Sequence, residues 1–455
     1  MALISTNPVY EFLQQLSFEQ IPDTVIQQAK VCLADLLATL AAGSQTPLTS
    51  IMRQLCEQQF AAGENAPQAL ALSGAGRLSP TGAALLDGMV IDSMDAHDGH
   101  ALTKGHVGCA VLAAINSYIS STRRPVSGRD LLKYLVAGYE IGTRSGIVLH
   151  ASCDDYHSSG AWNAVTCAAL SADLLQLNRE QFEHALGIAE YHGPRSQLMR
   201  DVDHPTMIKD GSGWGAMTGV SAAYMAQLKF TGAPAITVLA ESVQSYWQDL
   251  GERWYQLEQY IKPYPVCRWA HPAIDAVIAL RQQHTFHPDD VLNVQIHTFH
   301  NAARLAQKIP HSTDQAQYAI TFPVAVALCY AQVLPKHILE AGLQDQAVRE
   351  MFGRIDIIED PHLSARFPAE RLARVSIQLK QGESYHSEPF IARGDPQNPL
   401  TTQQTKEKFY SLTRPVWGQQ TAADIDQLIE QLDQPDSDAK TLLSMVRQAS
   451  LNGAP

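Results

Sequence analysis

The period of the hydrophobic pattern changes near residue 263, and this change limits the folds that the sequence can adopt. Before it, the apolar residues recur every three to four positions, which is typical of amphipathic helices. One such segment places Val25, Ala29, Cys32 and Leu36 on one stripe and closes at Gly43. Alanine and glycine are frequent within these segments, so the helices can pack closely. The first part of the chain is therefore predicted to be a helical bundle.

Beyond residue 263 apolar and polar residues alternate, as in β-strands. The segments VLNVQIHTF and ARVSIQLK follow this pattern, and the turn QGES after the second predicts a hairpin. Helical patterns return after a break rich in proline, glycine and asparagine. We therefore predict a mainly α protein with a large all-α domain built from both chain ends, residues 1–262 and 395–455. A smaller α+β domain, residues 263–394, is predicted to be inserted into it.

The charge of the chain limits its partners. It has 46 acidic residues against 33 lysines and arginines, which gives a formal net charge of −13. Since it contains no basic run, we expect no binding to nucleic acid or to anionic membranes. An anionic substrate would have to be attracted by a local basic pocket.

The cysteines and the N-terminus bear on the cellular compartment. Seven cysteines are scattered without a Cys-x-x-Cys pair, which argues against a zinc knuckle or an iron–sulfur site. The N-terminus lacks a signal-peptide pattern, and no apolar run reaches the roughly 18 residues of a membrane span. A cytoplasmic protein is predicted.

Three basic residues stand immediately before small-residue helices. They are His106, His157 and Lys209, and the second is followed by Ser158 and Ser159. A helix N-terminus binds anions because its N–H groups and its dipole both favour negative charge. If the three helix starts converge, they would form a pocket for a polycarboxylate or a phosphate. The alternative is that a basic residue before a helix cap is ordinary in sequence and has no function.

A second basic cluster lies at the boundary between the two predicted domains, with Lys262, Arg268 and His271. Clefts between domains are common ligand sites, and lysine and arginine bind carboxylates. The alternative is a linker with surface charges, although Pro263 and Pro265 favour a rigid segment.

One stretch between two apolar helices concentrates ionisable groups: Asp92, Asp95, His97, Asp98, His100, Lys104 and His106. Three interpretations are open, namely an acid–base site, a solvated loop and a metal site. An aspartate beside histidines can serve as a general base or orient an imidazole. The spacing matches no zinc signature, and the chain has no Walker loop, no dinucleotide fingerprint and no nucleophile elbow. The acid–base interpretation is favoured.

Six stretches, in this order, resemble the MmgE/PrpD family, which includes 2-methylcitrate dehydratases, cis-aconitate decarboxylases and iminodisuccinate epimerases. They are MDAHDGHALTKGHVGCAVL, GYEIGTR, YHSSGAWNAVTCAALSADLL, MIKDGSGWGAMTGVSAAYMAQLKFTGAP, IKPYPVCRWAHPAIDA and DPQNPLTTQQTKEKF. The resemblance implies a large helical domain with an inserted α+β lid, no metal or organic cofactor, a homodimer, and small di- or tricarboxylate substrates.

The resemblance also assigns residues. It implies catalytic roles for Asp95, His106, His157, Lys209 and Lys262, with Asp95 orienting an imidazole and setting its tautomer. Substrate binding is expected of Lys104, Ser158, Ser159, Arg268 and His271. The chain departs from the decarboxylase-like members at Gly99, where those carry threonine, and at Phe322, where those carry tyrosine. His97 and His100 are additions to the family pattern.

The function expected from these residues is a cofactor-independent lyase that moves a proton at the carbon α to a carboxylate. Hydration or dehydration is preferred, and an epimerase, isomerase or decarboxylase is the alternative within the family. A metal-dependent hydrolase and a non-catalytic carboxylate-binding protein are the alternatives from other classes.

Overall fold

The computed structural model describes residues 2–305 and 308–453, and the protein is mainly α-helical, as predicted. The α-helices are α1 (Pro8–Gln15), α2 (Asp23–Gly43), α3 (Pro47–Gln59), α4 (Pro80–Asp92), α5 (Gly108–Ser121), α6 (Gly128–Ser152), α7 (Ser159–Leu174), α8 (Arg179–His192), α9 (Met199–Asp203), α10 (Ser212–Gln227), α11 (Ile236–Leu239), α12 (His271–Gln283), α13 (His300–Ala303), α14 (Thr313–Gln317), α15 (Thr321–Tyr330), α16 (Pro335–Ile338), α17 (Gln346–Phe352), α18 (Pro361–Arg366), α19 (Thr402–Trp417), α20 (Gln419–Glu430) and α21 (Ala439–Asn452). The strands are β1 (Gly99–His100), β2 (Gln259–Tyr260), β3 (Val291–Thr298), β4 (Ile355–Glu359), β5 (Leu372–Leu379), β6 (Ser384–His386) and β7 (Phe390–Ile391).

The buried apolar side chains of the described residues form two main hydrophobic cores. The larger core takes its side chains from residues 9–261 and again from 409–449. The smaller core is formed by residues 264–379, with Val202 added from the first part of the chain. The predicted domain boundaries stay a prediction.

The smaller core packs against a mixed sheet. Strand β3 pairs in parallel with β4 and antiparallel with β5. The predicted hairpin is confirmed, because β5 and β6 pair antiparallel around the turn QGES. Along β3, Val294 and Ile296 are fully buried while Leu292 is half exposed.

Close packing brings the starts of three helices together in the larger core. At one contact a Cβ on Gly215 in α10 would lie 2.5 Å from the carbonyl oxygen of Gly160 in α7, so glycine is required there. Ala110, Cys167 and Ala216 form a small cluster among α5, α7 and α10. The three helices therefore pack closely against one another near their N-termini.

Two short strands join distant parts of the chain. Strand β1 pairs antiparallel with β2, with Gly99 opposite Tyr260. The pairing holds the loop after α4 against the segment that leads to the smaller core, and it sets the position of Tyr260.

Helix α2 is long and apolar enough to cross a membrane by length and composition, although Lys30 and Asp35 interrupt its apolar residues. In the most apolar 18-residue stretch of α2, 78% is buried inside the protein, and the buried residues of the helix include Lys30 and Asp35. Such burial is typical of a core helix.

Candidate active site

A narrow pocket lies between the two cores, where ligand sites are common. Its walls are Asp95, Lys104, His106, Leu198, Val202, Asp210, Tyr260, Lys262, Cys267, Arg268, Trp269, Tyr318 and Arg371. Five of the predicted site residues are among them: Asp95, Lys104, His106, Lys262 and Arg268. A wider cleft between α2, α19 and α20 contains charges that pair with each other, such as Lys406 with Asp426, and none of the predicted site residues.

Three predicted site residues have a left-handed backbone. Asp95, Lys104 and Lys209 have φ values of 46°, 51° and 50°. Positive φ is uncommon outside glycine and costs roughly 1–3 kcal/mol per residue, and such strain clusters at functional sites. Their shared conformation is an indication, independent of the resemblance, that this region is functional.

Asp95 and Lys262 form a buried ion pair. The Lys262 ammonium contacts the Asp95 carboxylate and also donates to the Asp95 carbonyl oxygen at 3.0 Å. The side chains are only 1% and 6% exposed. The same Asp95 oxygen lies 3.8 Å from Nε2 of His106, so the carboxylate, the ammonium and the imidazole are adjacent.

A backbone carbonyl sets the tautomer of His106. Its Nδ1 lies 2.6 Å from the carbonyl oxygen of Asp98, so Nδ1 carries the proton and donates it. Nε2 is then left as the basic nitrogen on the side of Asp95. The expectation that Asp95 sets a histidine tautomer is not met at His106, because Asp98 holds the proton on Nδ1 while Asp95 lies 3.8 Å from Nε2.

The surroundings of His106 keep it neutral. Burial lowers the pKa of His106 well below its usual value, and the charges of His97 and Lys262 lower it further. The hydrogen bond to Asp98 works in the opposite direction and is the weakest of the four causes. At neutral pH the imidazole therefore has a free lone pair on Nε2.

Tyr260 occupies the space that a side chain at position 99 would fill, where the decarboxylase-like members of the family carry threonine. A Cβ on Gly99 would lie 2.5 Å from the Tyr260 hydroxyl and 2.8 Å from Nδ1 of His106. Glycine at this position is therefore a requirement of the packing. The sequence analysis missed Tyr260, and its only signal was its place just before the stretch IKPYP.

Arg371 is a second residue that the sequence analysis missed. It directly precedes β5 in the smaller core, yet it lines the pocket beside the ring of Tyr260, 5.6 Å away. Lys104 lies 4.2 Å from the centre of the Tyr156 ring, and its pKa is lowered to about 8 by burial and by the charge of Arg371. Arg268 pairs with Asp395 at 2.8 Å.

His97 and His100 do not face water. All residues from 91 to 100 are buried, so the interpretation as a solvated loop is wrong for this part. Nε2 of His97 lies 3.2 Å from Asp92, and Nε2 of His100 lies 3.6 Å from Glu258. His97 packs edge-on against His106, with ring centres 4.3 Å apart.

The sequence offers Asp95, His97 and His100 as ligands for the metal interpretation, and the structure does not bring these three together. His100 is turned toward Glu258, away from a set with Asp95 and His97. Asp92, His97 and Cys109 instead have ligand atoms within 4.8 Å of one another. Asp92 is already hydrogen bonded there, since it also accepts from the Ser212 N–H at 3.3 Å.

The three helix starts converge, which the sequence left open, and oxygen atoms of the protein itself occupy them. The backbone N–H of His106 donates to the Ser159 hydroxyl at 2.9 Å, and that hydroxyl donates to Asp210. The Gly160 N–H donates to the Asp210 carbonyl oxygen at 3.0 Å. These groups tie the starts of α5, α7 and α10 together.

Lys209 lies beside the pocket lining. Its ammonium pairs with Asp314 at 2.8 Å and donates to Gln317 at 2.7 Å. Gln317 in turn donates to the carbonyl oxygen of Ser93, two residues before Asp95. Lys209 therefore links the end of α4 to the smaller core.

Three further predicted residues lie outside the pocket lining. Nδ1 of His157 lies 3.0 Å from the carbonyl oxygen of Asp155. The Ser158 N–H donates to Ser196 at 2.9 Å. His271 is buried between Val266, whose carbonyl oxygen lies 3.0 Å from Nε2, and Arg268, whose guanidinium lies 3.1 Å from Nδ1. Their catalytic or binding roles stay predictions.

Phe322 is fully buried in the smaller core and does not line the pocket. The aromatic residue that reaches the pocket from this region is Tyr318, four residues earlier, which the sequence analysis missed. The Tyr318 ring also lies 5.8 Å from the Lys209 ammonium.

Comparison with known proteins places the chain in a family. Models of the MmgE/PrpD N-terminal and C-terminal domains match residues 9–244 and 264–434. Its relatives include a cis-aconitate decarboxylase of Aspergillus terreus, 22% identical, with 94% of this chain and 93% of the relative covered. The human cis-aconitate decarboxylase is also 22% identical, with 96% and 93% covered. A cis-aconitate decarboxylase-like protein of Aspergillus oryzae is 22% identical, with 97% of each chain covered. Since both family models match and together span most of its length, the chain belongs to the MmgE/PrpD family.

Proposed function

We propose that the protein is a cofactor-independent lyase that dehydrates a small hydroxylated di- or tricarboxylate, or hydrates the corresponding alkene. The observation that carries this proposal is the neutral His106, whose Nε2 is basic and lies beside the Asp95–Lys262 ion pair in a pocket with further cations.

The first step is removal of a proton from the carbon α to a carboxylate. Nε2 of His106 accepts this proton, and the electron pair moves into the carboxylate as an enediolate. The Lys262 ammonium pairs with the Asp95 carboxylate that lies beside Nε2 of His106, and it stabilises the negative charge that develops.

The second step is loss of the hydroxyl group on the neighbouring carbon. The candidates for its general acid are His157 and Lys104. Lys104 lines the pocket and His157 does not, so Lys104 is the better candidate. With a pKa lowered to about 8, it is still mostly protonated at pH 7 and gives up its proton more readily than an ordinary lysine. The proton leaves with the hydroxide as water.

Decarboxylation is the second candidate, because the relatives named above are cis-aconitate decarboxylases and a decarboxylase-like protein. Release of carbon dioxide from an unsaturated tricarboxylate requires a proton to be added to carbon. His106, whose pKa lies well below its usual value, is mostly unprotonated at neutral pH, so the resting site is better suited to remove a proton from carbon than to deliver one. The site therefore favours dehydration over decarboxylation.

Product analysis in deuterated water tests the proposal. Hydroxylated and unsaturated di- and tricarboxylates are incubated with the enzyme and followed by NMR and mass spectrometry. We expect loss or gain of water, and a rate lowered about 10²- to 10⁴-fold in His106→Gln. His192→Gln, an exposed histidine at the end of α8, is the control.

Each alternative predicts a different result in that experiment. Release of carbon dioxide would show a decarboxylase, and deuterium exchange without a change of skeleton would show an epimerase or isomerase. Binding without turnover or exchange would show a carboxylate-binding protein. Loss of activity on chelation would show a metal-dependent enzyme. His157→Gln, assayed in parallel, tests whether this histidine takes part.

We also propose the assembly that the family resemblance implies: a cytoplasmic homodimer in which the smaller core acts as a lid over the pocket. Exposed apolar side chains at both ends of α10 support a dimer, with Ile208 and Trp214 near its start and Leu228 and Phe230 after its end. Apolar patches of this kind commonly mark protein interfaces.

A further inference from the structure

The cations of the pocket divide into two kinds. Lys262 pairs with Asp95, and Arg268 pairs with Asp395. Lys104 and Arg371 have no carboxylate partner among residues 2–305 and 308–453, although both line the same pocket. Lys104 donates only to the carbonyl oxygen of Leu102, at 3.5 Å.

Arg371 is the more unusual of the two. It is only 8% exposed, and within the part of the chain that the structure describes its guanidinium makes no hydrogen bond or ion pair. Its neighbour is the face of Tyr260, at 5.6 Å. Burial of an unpaired charge is costly, so such a group indicates a partner that arrives from outside.

The acidic residues of the pocket do not balance these charges. Asp95 is already paired with Lys262. Asp210 is the other acidic residue of the lining, and burial and the neighbouring Asp92 raise its pKa well above the usual value. These two acidic residues stand against four cations, Lys104, Lys262, Arg268 and Arg371. The pocket is therefore positive, although the chain as a whole has a formal net charge of −13.

We propose that Arg371 is a specificity-determining residue, which binds one carboxylate of the substrate across the boundary between the two cores, opposite Lys104. This inference rests on the proposed polycarboxylate substrate and adds a residue and a binding mode to it. A guanidinium can bind a carboxylate through two parallel N–H donors, which selects for the planar, doubly accepting group. The Tyr260 ring beneath it limits where that carboxylate can lie.

The position of Arg371 also links substrate binding to Lys104. The titratable and charged groups around the Lys104 ammonium are Arg371, His150 and Tyr156. Burial lowers the pKa of His150 to about 4, so His150 is neutral and Arg371 is the charged neighbour. Removal of the Arg371 charge should therefore move the alkaline limb of the rate profile, which depends on Lys104, to higher pH.

The test compares Arg371→Gln, Arg371→Lys and wild type. With the tricarboxylate substrate, we expect KM to rise about 100-fold in Arg371→Gln while kcat changes much less, and Arg371→Lys to recover part of the affinity. Wild type should bind propane-1,2,3-tricarboxylate more tightly than glutarate, which lacks one carboxylate, and Arg371→Gln should lose this preference. Arg374→Gln is the matched control, because Arg374 lies on β5 but is half exposed and pairs with Asp360.

The outcomes separate this inference from the proposed function. Turnover that is unchanged in Arg371→Gln, with the preference for the tricarboxylate intact, would overturn the role of Arg371 and leave the lyase proposal standing. Binding to wild type that is lost in Arg371→Gln, but without turnover in either, would support Arg371 and overturn the lyase. If Arg371→Gln does not fold, Arg371→Lys decides the question. An affinity of Arg371→Lys for each of the two probes that is unchanged from that of wild type would contradict the proposal.

Discussion

His106 is oriented by the backbone of its own loop. The carbonyl oxygen of Asp98 accepts from Nδ1, and Asp95 is left to face Nε2 together with Lys262. A backbone acceptor cannot be exchanged by a point substitution, so the tautomer depends on the conformation of the loop. The left-handed backbone of Asp95, with a φ of 46°, is part of that conformation.

The dependence of kcat/KM on pH should report His106 and Lys104. His106 must be unprotonated to act as a base, so activity falls only when pH drops through its pKa, which lies well below the usual 6.5. Lys104 must be protonated to act as an acid, so activity falls as pH rises above about 8. A profile measured from pH 5 to 10 that falls already below pH 7 would contradict this assignment of the base.

A Cβ at Gly99 should damage the site without damaging the fold. Gly99→Ala would push against the Tyr260 hydroxyl and Nδ1 of His106, which lie 2.5 and 2.8 Å from the added atom. Displacements of about 1 Å can cost about 100-fold in rate, so we expect a loss of that order in kcat/KM. Gly76→Ala is the control, because no heavy atom lies within 4 Å of its Cβ. Equal activity in the two variants would show that Tyr260 moves freely.

Single residues were predictable to different degrees. Asp95, His106 and Lys262 could be found from their place at the end of a helix, the start of a helix and a domain boundary. Tyr260 could not, because it lies on a two-residue strand whose partner is distant along the chain, and Arg371 could not, because it precedes a strand of the smaller core that is distant in sequence from the other lining residues. The burial of His97 and His100 could not be predicted, since the sequence left a solvated loop open as one interpretation of this stretch and the structure buries all of residues 91–100.

At the scale of elements, helix α19 contacts the loop that carries Asp95. Its Lys408 pairs with the buried Asp35 of α2 and donates to the carbonyl oxygen of Ala96 at 2.6 Å. Ala96 follows Asp95, so a helix near the C-terminus holds a residue that belongs to the N-terminal part of the site. Through this contact, the C-terminal part of the larger core helps to position the loop next to Asp95.

Lys408→Met should therefore reduce both stability and activity. It leaves Asp35 buried without its partner, and loss of one member of a buried pair costs about 3–5 kcal/mol. Lys406→Met is the matched control on the same helix, because Lys406 is 34% exposed and its ion pairs are worth about 1 kcal/mol or less. Urea unfolding and kcat/KM measure the two effects. Equal stability of the two variants would contradict the supporting role of Lys408.

The helices and strands followed from local patterns. Val25, Ala29, Cys32 and Leu36 of α2 are all fully buried, as their spacing predicted. Ser79 accepts from the Gly82 N–H at 3.1 Å and begins α4 as a capping residue. Pairing between β1 and β2 was not predictable, because two-residue strands carry no alternation. Those two strands nevertheless set the geometry of Tyr260.

At the scale of the whole molecule, the exposed apolar groups beside α10 predict self-association. Phe230 is 51% exposed and Leu228 is 83% exposed. Phe230→Glu should shift the protein from dimer to monomer in light scattering coupled to size exclusion. Leu292→Glu, at a 49% exposed position on β3, should leave the mass unchanged. A dimer that persists in Phe230→Glu would place the interface elsewhere.

The chain crosses between the two cores twice, and the two crossings lie side by side. The Ile261 N–H donates to the Gly394 carbonyl oxygen at 2.9 Å, and Arg268 donates to the Arg393 carbonyl oxygen at 2.8 Å. Because the ends of the intervening segment already meet, closing it as a loop costs the larger core little entropy, and insertions are best tolerated at such points. We therefore expect that the corresponding segment of a relative can be grafted between these two positions. Such a graft would replace Arg371 and leave His106, Asp95 and Lys104 in place.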